Sequence, residues 1–425
     1  MYYIVRNAVF SLIFINLVAA GCSESPSAEE GAGDTDADAD ADTDTQDSGL
    51  PSGFDEACDG SEPFCFNGEL IICEGDQRVS TECQEKSFCN FGECHEVDVS
   101  LPGDAAPHNS RSEWWYYTGH IEDDSGHWGF QVTIFKYTIG LKGYMCHVGI
   151  SDKDAGEHYH HDEFAVLPQK WTTTPPIEIF VGRCKFELDG NGRDHIIGII
   201  PKGGEKDKKD SPWKLDLELE PTKGPAFHGG NGEIPMSDSG GRSWYYSYTR
   251  IDTEGTLETP DGQIHDVTGQ AWMDHQWGPF DISQFKGWDW WSMQFDDGYE
   301  IMLFQFYSWE DKLVMQAGSV IDPSGNQTEL EGLDDFTIES LRSWESTHTD
   351  GIYPLDWDIA IPNGDWVLEV RTHIDDSEMY NMAQNYWESH TVITGTRDGQ
   401  KVNGVGFTEL TGYASDLLDP PGVKK

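Results

Sequence analysis

The chain has 425 residues, of which 77 are acidic and 27 are basic, so its formal net charge at pH 7 is −50. A charge of this size and sign repels phosphate backbones and anionic lipid surfaces, which argues against nucleic acid as a partner. The length exceeds that of one typical domain and predicts two or three folded units.

Residues 1–21 are typical of an export signal. The stretch MYYIVRNAVFSLIFINLVAAGC has one arginine, an apolar core and small residues before Cys22. The ending LVAAGC resembles a bacterial lipobox, which implies cleavage before Cys22, lipidation of its thiol and anchoring to a membrane. Ser23 after the cysteine implies an outer-membrane destination in a Gram-negative bacterium. We therefore expect an exported protein that is lipid-anchored at the outer membrane or cell surface.

Residues 22–57 form the next segment, in which twelve acidic residues occur without a single basic one. Almost nothing in this segment can be buried, so we expect a solvated acidic tether without a fold of its own. Its regularly spaced aspartates lack the glycine and glutamate that a calcium-binding EF-hand loop needs.

Residues 58–96 hold six of the nine cysteines. Clustered cysteines in an exported chain predict a small module with three disulfides. Zinc is the alternative, but the segment contains no CxxC pair. The spacing leaves the pairing open, and Cys146 and Cys184 are then left to pair with each other. The six cysteines of the module are Cys58, Cys65, Cys73, Cys83, Cys89 and Cys94.

From about residue 100 the sequence consists of short runs rich in β-branched and aromatic residues, separated by Gly, Asn and Asp. These runs predict strands and turns, and long amphipathic helical patterns are scarce, so the fold class is all-β. The predicted strands include GHWGFQVTIFKYTIG, KFELDGNGRDHIIGII, WKLDLELEPT, RSWYYSYTRIDTEGTLETPDG, GYEIMLFQFY, DWVLEVRTHI and ESHTVITGTRDG.

An internal repeat divides this β-rich body. The stretch DWWSMQFDDGYEIMLFQF, residues 289–306, echoes SEWWYYTGHIEDDSGHWGFQVTIFK, residues 112–136, which alternation predicts to be a β-hairpin. Each copy begins a segment long enough for one small closed barrel. We therefore predict two barrel-like units at about 101–280 and 281–418.

Seven motifs stand in order along this body: SEWWYYTGH, YMCHVGISD, VTGQAWMDHQWG, GWDWWSMQFDDG, YPLDW, YWES and GFTELTGY. Together they resemble the carotenoid 1,2-hydratase (hydroxyneurosporene synthase) family and its AttH-like relatives, over most of residues 101–418. The resemblance implies two tandem lipocalin-like β-barrels, here preceded by the disulfide-rich module. The resemblance does not specify a single reaction, because similar proteins include hydratases and cyclases of the Diels–Alder type.

Candidate site residues follow from alternation along the strands. In AWMDHQWG, Met273, His275 and Trp277 share one face, while Trp272, Asp274 and Gln276 share the other. We take His275, Asp274 and Asp289 as candidate catalytic residues, with His275 as the acid or base. The candidate ligand-binding residues are Glu113, Trp115, Tyr117, His147, Trp277, Trp291 and Gln305.

Hydration of an isolated double bond requires an acid that protonates carbon and aromatic walls that stabilise the cation. The family resemblance implies an Asp with a nearby Tyr on the strand after the tryptophan-rich one. That strand reads YEIMLFQFY here, with Met302, Phe304 and Gln305 about where the pair would fall. No acid is therefore expected at that place.

Each of these residues also has a structural interpretation. Tryptophan and tyrosine on strands are most often barrel-wall residues, and Glu113 and Asp289 can satisfy buried donors. The sequence HYHHDEF lacks the spacing of a zinc protease, so we interpret His158, His160 and His161 as a surface loop and expect no metal. The stretch Ser237–Arg242 is interpreted as a glycine-rich turn. No phosphate-binding loop or dinucleotide fingerprint occurs, and no cofactor is expected.

Three functions remain open at this point. The first is a cofactor-independent lyase, isomerase or cyclase that acts on an unsaturated terpenoid or similar lipid. The second is a carrier or sensor of hydrophobic molecules, and the third is a partner-binding role of the cysteine module. Two or more ionisable groups that converge in an apolar pocket would indicate catalysis.

Overall fold

The computed structural model describes residues 63–66, 69–74, 77–81, 83, 86–139, 141–202, 212–236, 241–380 and 384–415. Several predicted features lie outside these ranges: the export signal 1–21, the lipidation site Cys22, the tether 22–57, Cys58 of the cysteine module and residues 237–240 of the turn. Within them the only helical elements are two 3-10 segments, Gly103–Ala105 and Ile282–Gln284. No helix in this part of the chain is long and apolar enough to cross a membrane.

The N-terminal module consists of two small antiparallel sheets that are joined by disulfides. Cys65 is bonded to Cys89, and Cys83 is bonded to Cys94. The side chain of Cys73 lies outside the described part of the chain. The five strands are β1 (Phe64–Phe66), β2 (Glu69–Glu74), β3 (Gln77–Thr81), β4 (Ser87–Asn90) and β5 (Glu93–Glu96).

The first large sheet is antiparallel and curls into a lipocalin-like barrel. Its strand order is β10-β11-β12-β13-β14-β17-β18-β6-β7-β8-β9, with β15 and β16 paired to β17. Its strands are β6 (Ser112–Asp123), β7 (Gly126–Ile139), β8 (Leu141–Asp152), β9 (Glu157–Ala165), β10 (Lys170–Trp171), β11 (Ile177–Val181), β12 (Cys184–Leu188), β13 (Asp194–Ile200), β14 (Trp213–Pro221), β15 (Ala226–Phe227), β16 (Glu233–Pro235), β17 (Arg242–Glu258) and β18 (Ile264–Gly278).

The second large sheet forms the second lipocalin-like barrel, with the order β22-β21-β20-β19-β28-β27-β25-β24-β23 and β26 paired to β27. The hairpin β19–β20 repeats the hairpin β6–β7, as the internal repeat predicts. Its strands are β19 (Gly287–Phe295), β20 (Glu300–Tyr307), β21 (Leu313–Ile321), β22 (Gln327–Leu330), β23 (Thr337–Glu345), β24 (Ile352–Ile361), β25 (Trp366–Thr372), β26 (Glu378–Met379), β27 (Tyr386–Arg397) and β28 (Gln400–Thr411).

The paired tryptophans of the repeat divide their two side chains between two environments, because successive residues of a strand point to opposite faces. Trp115 is buried in the core of the first barrel and Trp291 in the core of the second. Trp114 and Trp290 belong instead to a third apolar cluster that joins the barrels. Each barrel therefore has an inner core, and both contribute aromatic residues to the interface.

The histidine-rich sequence HYHHDEF is a strand rather than the predicted surface loop. It lies in β9, where His158 and His160 are buried. Nε2 of His160 lies 3.1 Å from the carbonyl oxygen of Tyr380 in the second barrel. The interpretation was wrong because alternating histidines on a strand have the same pattern of polarity as an exposed hairpin, and local sequence does not show the contact of His160 with the second barrel.

The predicted pair Cys146 and Cys184 forms a disulfide that links β8 to β12 across the core of the first barrel. The two cysteines are 38 positions apart. We expect the double variant Cys146→Ala/Cys184→Ala to lose about 3–4 kcal/mol of unfolding free energy, because opening a loop of this length restores chain entropy to the unfolded state. Urea unfolding of both proteins measures the difference, and a loss below about 1 kcal/mol would contradict it.

Candidate active site between the two barrels

Two rows of side chains, one from each barrel, face each other across the interface. In the first barrel the register of β17, β18 and β6 places Ser247, Asp274 and Tyr116 side by side. In the second barrel the register of β19, β28 and β27 places Trp290, Glu409 and Glu388 side by side. The hairpins of the repeat thus bring acids and aromatic rings together from both barrels.

Hydrogen bonds connect the two rows directly. The Tyr116 hydroxyl donates to Oε1 of Glu388 over 2.5 Å, and Nε1 of Trp290 donates to the Tyr245 hydroxyl over 3.1 Å. Tyr245 in turn donates to Oδ2 of Asp274 over 2.6 Å. The positions of the acids are therefore fixed by the docking of one barrel on the other.

Asp274 is only 3% exposed, and its carboxyl group accepts three hydrogen bonds. Besides Tyr245, its donors are Nε1 of Trp272 at 2.6 Å and the Ser247 hydroxyl. Burial nevertheless raises the pKa of Asp274 to about 6, because an ionised carboxylate loses its hydration in this setting. The carboxyl group can therefore change its protonation state near neutral pH.

Glu409 is the second acid at this place. Burial, followed by the nearby charge of Asp274, raises its pKa to about 8. Glu388 has a pKa well above its ordinary value, first because of burial and then because of the charge of Glu409. Three carboxyl groups whose pKa values are all raised thus interact at one interface, which is typical of acid–base sites.

A pocket adjoins Asp274 and Glu409, and aromatic rings form most of its walls. Its volume is about 40 Å³, which is room for one or two water molecules. The walls are Trp114, Tyr116, Phe135, Tyr137, Met236, Tyr245, Gln276, Ile282, Trp288, Trp290, Phe304 and Phe306.

The strand β20 contributes Phe304 to this pocket and Met302 to the apolar cluster beside it. Both residues are apolar, and the acid that the family resemblance implies on this strand is absent from the sequence. The acids at the pocket come instead from β18 and β28.

His275 lies on the opposite face of β18 from Asp274, inside the first barrel. It is fully buried, with its ring stacked on Trp115 at 4.5 Å and tilted against Trp277 at 4.7 Å. Burial lowers its pKa to about 4, so the imidazole is neutral at pH 7. The structure therefore separates His275 from the interbarrel pocket, and Asp274 is the residue of this motif that reaches it.

Glu113 links His275 to a network of buried polar groups at one end of the first barrel. Its carboxylate lies 3.3 Å from Nε2 of His275 and 2.8 Å from Nδ1 of His108, and it contacts the Lys136 ammonium. The ligand atoms of His108, Glu113 and His275 lie within 4.8 Å of one another, a spacing that a metal ion could use. A second cation would be repelled by Lys136, so the network is better described as an ion pair with two histidines.

The remaining predicted residues occupy three other places. Tyr117 is buried in the first barrel and donates to Asp194 over 2.7 Å. His147 lies at the interface, 2.9 Å from the Tyr386 hydroxyl, and burial lowers its pKa to about 3. The other three residues, Asp289, Trp291 and Gln305, line a cavity of about 590 Å³ in the second barrel.

Three residues that line the pocket were not among the sequence candidates, Tyr116, Tyr245 and Glu409, and neither was Glu388, which binds Tyr116 beside it. Tyr116 and Tyr245 were visible only as members of aromatic strands. Glu388 in YWES and Glu409 in GFTELTGY lie within motifs of the family resemblance. An acid within a motif of the resemblance is the signal that could have selected them.

Asp194 is a further buried acid, in the core of the first barrel and away from the pocket. Burial raises its pKa to about 7. The folded protein therefore retains a proton that the unfolded chain releases above about pH 4, so this residue lowers stability as pH rises towards 7. We expect Asp194→Asn to raise the unfolding free energy by about 1–3 kcal/mol at pH 8 and much less at pH 5. Urea titrations at both pH values measure this, and equal effects at the two pH values would contradict it.

Two lipocalin-like barrels with an acid-bearing aromatic pocket between them define the structural class of this protein. The chain belongs to the AttH-like family, whose model matches residues 94–413. An AttH-type protein of Nitrosomonas europaea, known from a crystal structure, is 27% identical and has a TM-score of 0.64. That alignment covers 74% of this chain and 97% of the other.

Two fungal enzymes are similar in sequence. Kievitone hydratase of Fusarium solani subsp. phaseoli is 23% identical over 203 residues, which are 46% of this chain and 56% of the hydratase. Dehydratase asqC of Emericella nidulans is 21% identical over 252 residues, which are 56% of this chain and 69% of the dehydratase. The chain thus resembles hydratases and dehydratases of its family, and its match spans little more than half of kievitone hydratase.

Proposed function

We propose that this protein is a cofactor-independent lyase of the hydratase or dehydratase type, which acts in the interbarrel pocket on a hydrophobic unsaturated molecule. The observation that carries this proposal is the convergence of Asp274 and Glu409 on one aromatic pocket. Two acids with different raised pKa values supply a base and an acid at the same pH. An apolar pocket that served only for storage would gain nothing from two buried carboxyl groups.

The two carboxyl groups suit the two proton transfers of such a reaction. At pH 7 the lower pKa of Asp274 makes it the base, and the higher pKa of Glu409 makes it the acid. In dehydration, Asp274 accepts a proton from carbon while Glu409 gives a proton to the leaving hydroxyl, so that a C=C bond and water form. Hydration is the reverse, in which the water oxygen adds to one carbon and a proton adds to the other.

The resemblance to kievitone hydratase and to dehydratase asqC supports this class of reaction. The aromatic walls support a substrate with a hydrophobic, unsaturated skeleton such as a terpenoid or similar lipid, because rings of this kind stabilise flat and cationic groups. The pocket has room for only one or two water molecules. Substrate binding therefore requires side chains at its edge to move, and the half-buried Ile282 and Trp288 lie at that edge.

The experiment uses the full mature chain and a panel of terpenoids and polyketides, each as an alkene and as its hydrated partner. Reactions run in H₂¹⁸O, and mass spectrometry follows the products. We expect at least one alkene to gain a labelled hydroxyl, or one alcohol to lose water. Products of unchanged mass would indicate isomerisation or cyclisation and would overturn the hydratase assignment. No turnover across a broad panel would also count against it.

A non-catalytic carrier or sensor of hydrophobic molecules is the second candidate function. The cavity of the second barrel favours it, because its volume of about 590 Å³ falls in the range of small-molecule sites. Solvent extraction of protein purified from a membrane-containing host, followed by mass spectrometry, would reveal a stoichiometric bound lipid or terpenoid. Bound ligand without turnover would support the carrier.

We further propose that the mature protein is anchored by a lipid on Cys22, at the outer membrane or cell surface of a Gram-negative bacterium. The motif LVAAGC and the disulfides of the module support an exported protein. Metabolic labelling with a radioactive fatty acid should label the wild type and not Cys22→Ala. Equal labelling of both proteins would refute the anchor.

A further inference from the structure

A continuous path of hydrogen bonds leads from Asp274 into the second barrel. Ser247 lies opposite Asp274 in the register of β17 and β18, and its hydroxyl donates to Oδ1 of Asp274. Oγ of Ser247 lies 2.7 Å from Nε2 of His228, and Nδ1 of the same ring lies 2.9 Å from Oγ of Ser319. Oγ of Ser319 lies 3.3 Å from both carboxyl oxygens of Glu329. The path therefore has a carboxyl group at each end and a histidine at its centre.

The two ends of this path differ in their access to water. Asp274 lines the interbarrel pocket and is buried, as are Ser247, His228 and Ser319. Glu329 is half-buried and lies on β22, where the register with β21 places it opposite Ser319. The path thus connects the acid at the pocket with a carboxyl group that water can reach.

Glu329 is held in place and can exchange a proton near neutral pH. Its Oε2 accepts from the backbone N–H of Gly229 over 3.0 Å, and its Oε1 accepts from the side-chain amide of Gln327. Burial raises the pKa of Glu329 to about 7, and the nearby charge of Glu331 acts in the same direction. Its proton can therefore pass to and from solvent at the pH at which Asp274 also titrates.

His228 remains neutral at this pH, because burial lowers its pKa to about 3. Its ring packs against Tyr245 with the ring centres 4.3 Å apart. A neutral imidazole has one donating and one accepting nitrogen, so His228 donates to one serine and accepts from the other. The serine hydroxyls can likewise each donate once and accept. The path can therefore have all its donors directed towards Asp274, when Glu329 carries the proton, or all towards Glu329, when Asp274 carries it.

We propose that Ser247, His228, Ser319 and Glu329 form a relay that carries the proton of Asp274 between the interbarrel pocket and solvent. The relay rests on the proposed function, because it restores Asp274 after each turnover. The four residues are positioning and proton-transfer residues that do not touch the substrate.

The relay balances its protons at every step. In dehydration Asp274 takes a proton from carbon and gives it to Oγ of Ser247, whose own proton passes to Nε2 of His228. The proton on Nδ1 passes to Oγ of Ser319, and the proton of that hydroxyl passes to Glu329 and then to water. Only O–H and N–H bonds break and form, and the imidazole changes from one neutral tautomer to the other. Hydration uses the same path in reverse.

The first test measures turnover of the substrate found in the labelled-water experiment, with the full mature chain. His228→Gln keeps one donor and one acceptor, but an amide does not pass a proton in this way. We expect kcat to fall by about tenfold or more with KM unchanged, in this variant and in Glu329→Gln at the half-buried end. Glu331→Gln, an exposed neighbour on the chain, should keep the kcat of the wild type.

Two results of this test would overturn the relay. An unchanged kcat in both variants would mean that Asp274 passes its proton directly to Glu409 or to water in the pocket. A raised KM with unchanged kcat would mean that the path only shapes the pocket. Because a glutamine can form the same hydrogen bonds, a purely structural role of His228 predicts little change in kcat.

The second test needs no substrate and measures the tautomer of His228 by ¹⁵N NMR of histidine-labelled protein, with His228→Gln to assign the signal. At about pH 6.5 Glu329 holds its proton, so we expect a neutral ring that is protonated on Nε2. At about pH 9 Glu329 is ionised and Ser319 donates to it, so the Nδ1-protonated tautomer should appear. In Glu329→Gln the tautomer should not change with pH. The same tautomer at both pH values in the wild type would overturn the relay.

The two tests separate the relay from the proposed function. If the wild type turns over its substrate and both glutamine variants do so equally well, the relay fails and the function stands. If no substrate is turned over by the wild type, the proposed function fails, and the NMR measurement alone decides whether the path passes a proton.

Discussion

Glu300→Ala is expected to lower the unfolding free energy of the two-barrel unit by about 3–5 kcal/mol. Glu300 begins β20 of the second barrel and is fully buried. It binds Nζ of Lys223 at 2.6 Å and Nε of Arg250 at 2.5 Å, and both cations belong to the first barrel. Removal of the carboxylate leaves two charges at the interface without their anion, which is why the expected loss is large. Urea unfolding, followed by tryptophan fluorescence and circular dichroism, measures it.

Two control variants sharpen this experiment. Glu310→Ala removes an exposed glutamate ten positions further along the chain and should change stability by less than about 0.5 kcal/mol. Glu300→Gln keeps the size of the side chain but replaces one of the two acceptor oxygens with a donating amide, so it tests the carboxylate with the packing preserved. A loss below about 1 kcal/mol in Glu300→Ala would contradict the prediction that the ion pairs of Glu300 with Lys223 and Arg250 stabilise the contact between the barrels.

The sequence predicted which residues share a strand face, because alternation depends only on local geometry. His275 and Asp274 are neighbours in AWMDHQWG, and alternation placed them on opposite faces. What it could not provide was the environment of each face. His275 was favoured as the acid or base because it shares a strand face with Trp277, yet that face is enclosed in the first barrel, where Trp115 and Trp277 pack against the ring.

The interbarrel site itself could not be predicted, because it depends on how one barrel docks on the other. Asp274 and Glu409 are 135 positions apart in the sequence, and no periodicity relates them. The internal repeat predicted two similar units but not the faces by which they meet. The same limitation explains the error at His160, whose ring packs against Tyr380 of the second barrel.

The two tryptophans of each repeated pair have different structural roles. In each copy the second tryptophan, Trp115 or Trp291, packs inside its own barrel, and the first, Trp114 or Trp290, lies at the interbarrel pocket. One duplicated motif therefore stabilises two cores and supplies two walls of a shared pocket. Duplication followed by docking is sufficient to create a site that neither barrel has alone.

Asp274→Asn is expected to reduce turnover of the substrate found in the labelled-water experiment by about 10²–10⁴-fold. For the wild type we expect a bell-shaped pH profile. Activity rises as Asp274 ionises, with a pKa of about 6, and falls as Glu409 loses its proton, with a pKa of about 8, so the optimum lies near pH 7. The variant should lose the rising limb. Its falling limb should move to lower pH, because the charge of Asp274 no longer raises the pKa of Glu409.

This prediction can be checked without a substrate as well. Carboxyl ¹³C resonances of labelled aspartate should include one with a midpoint near pH 6 that disappears in Asp274→Asn. Asp194→Asn serves as the control, since it removes another buried acid but leaves the pocket intact and should retain full turnover. If Asp274→Asn kept more than about a tenth of wild-type turnover with an unchanged pH profile, proton transfer by this carboxyl group would be excluded. The network of Glu113 and His275 would then be the next place to look for the acid.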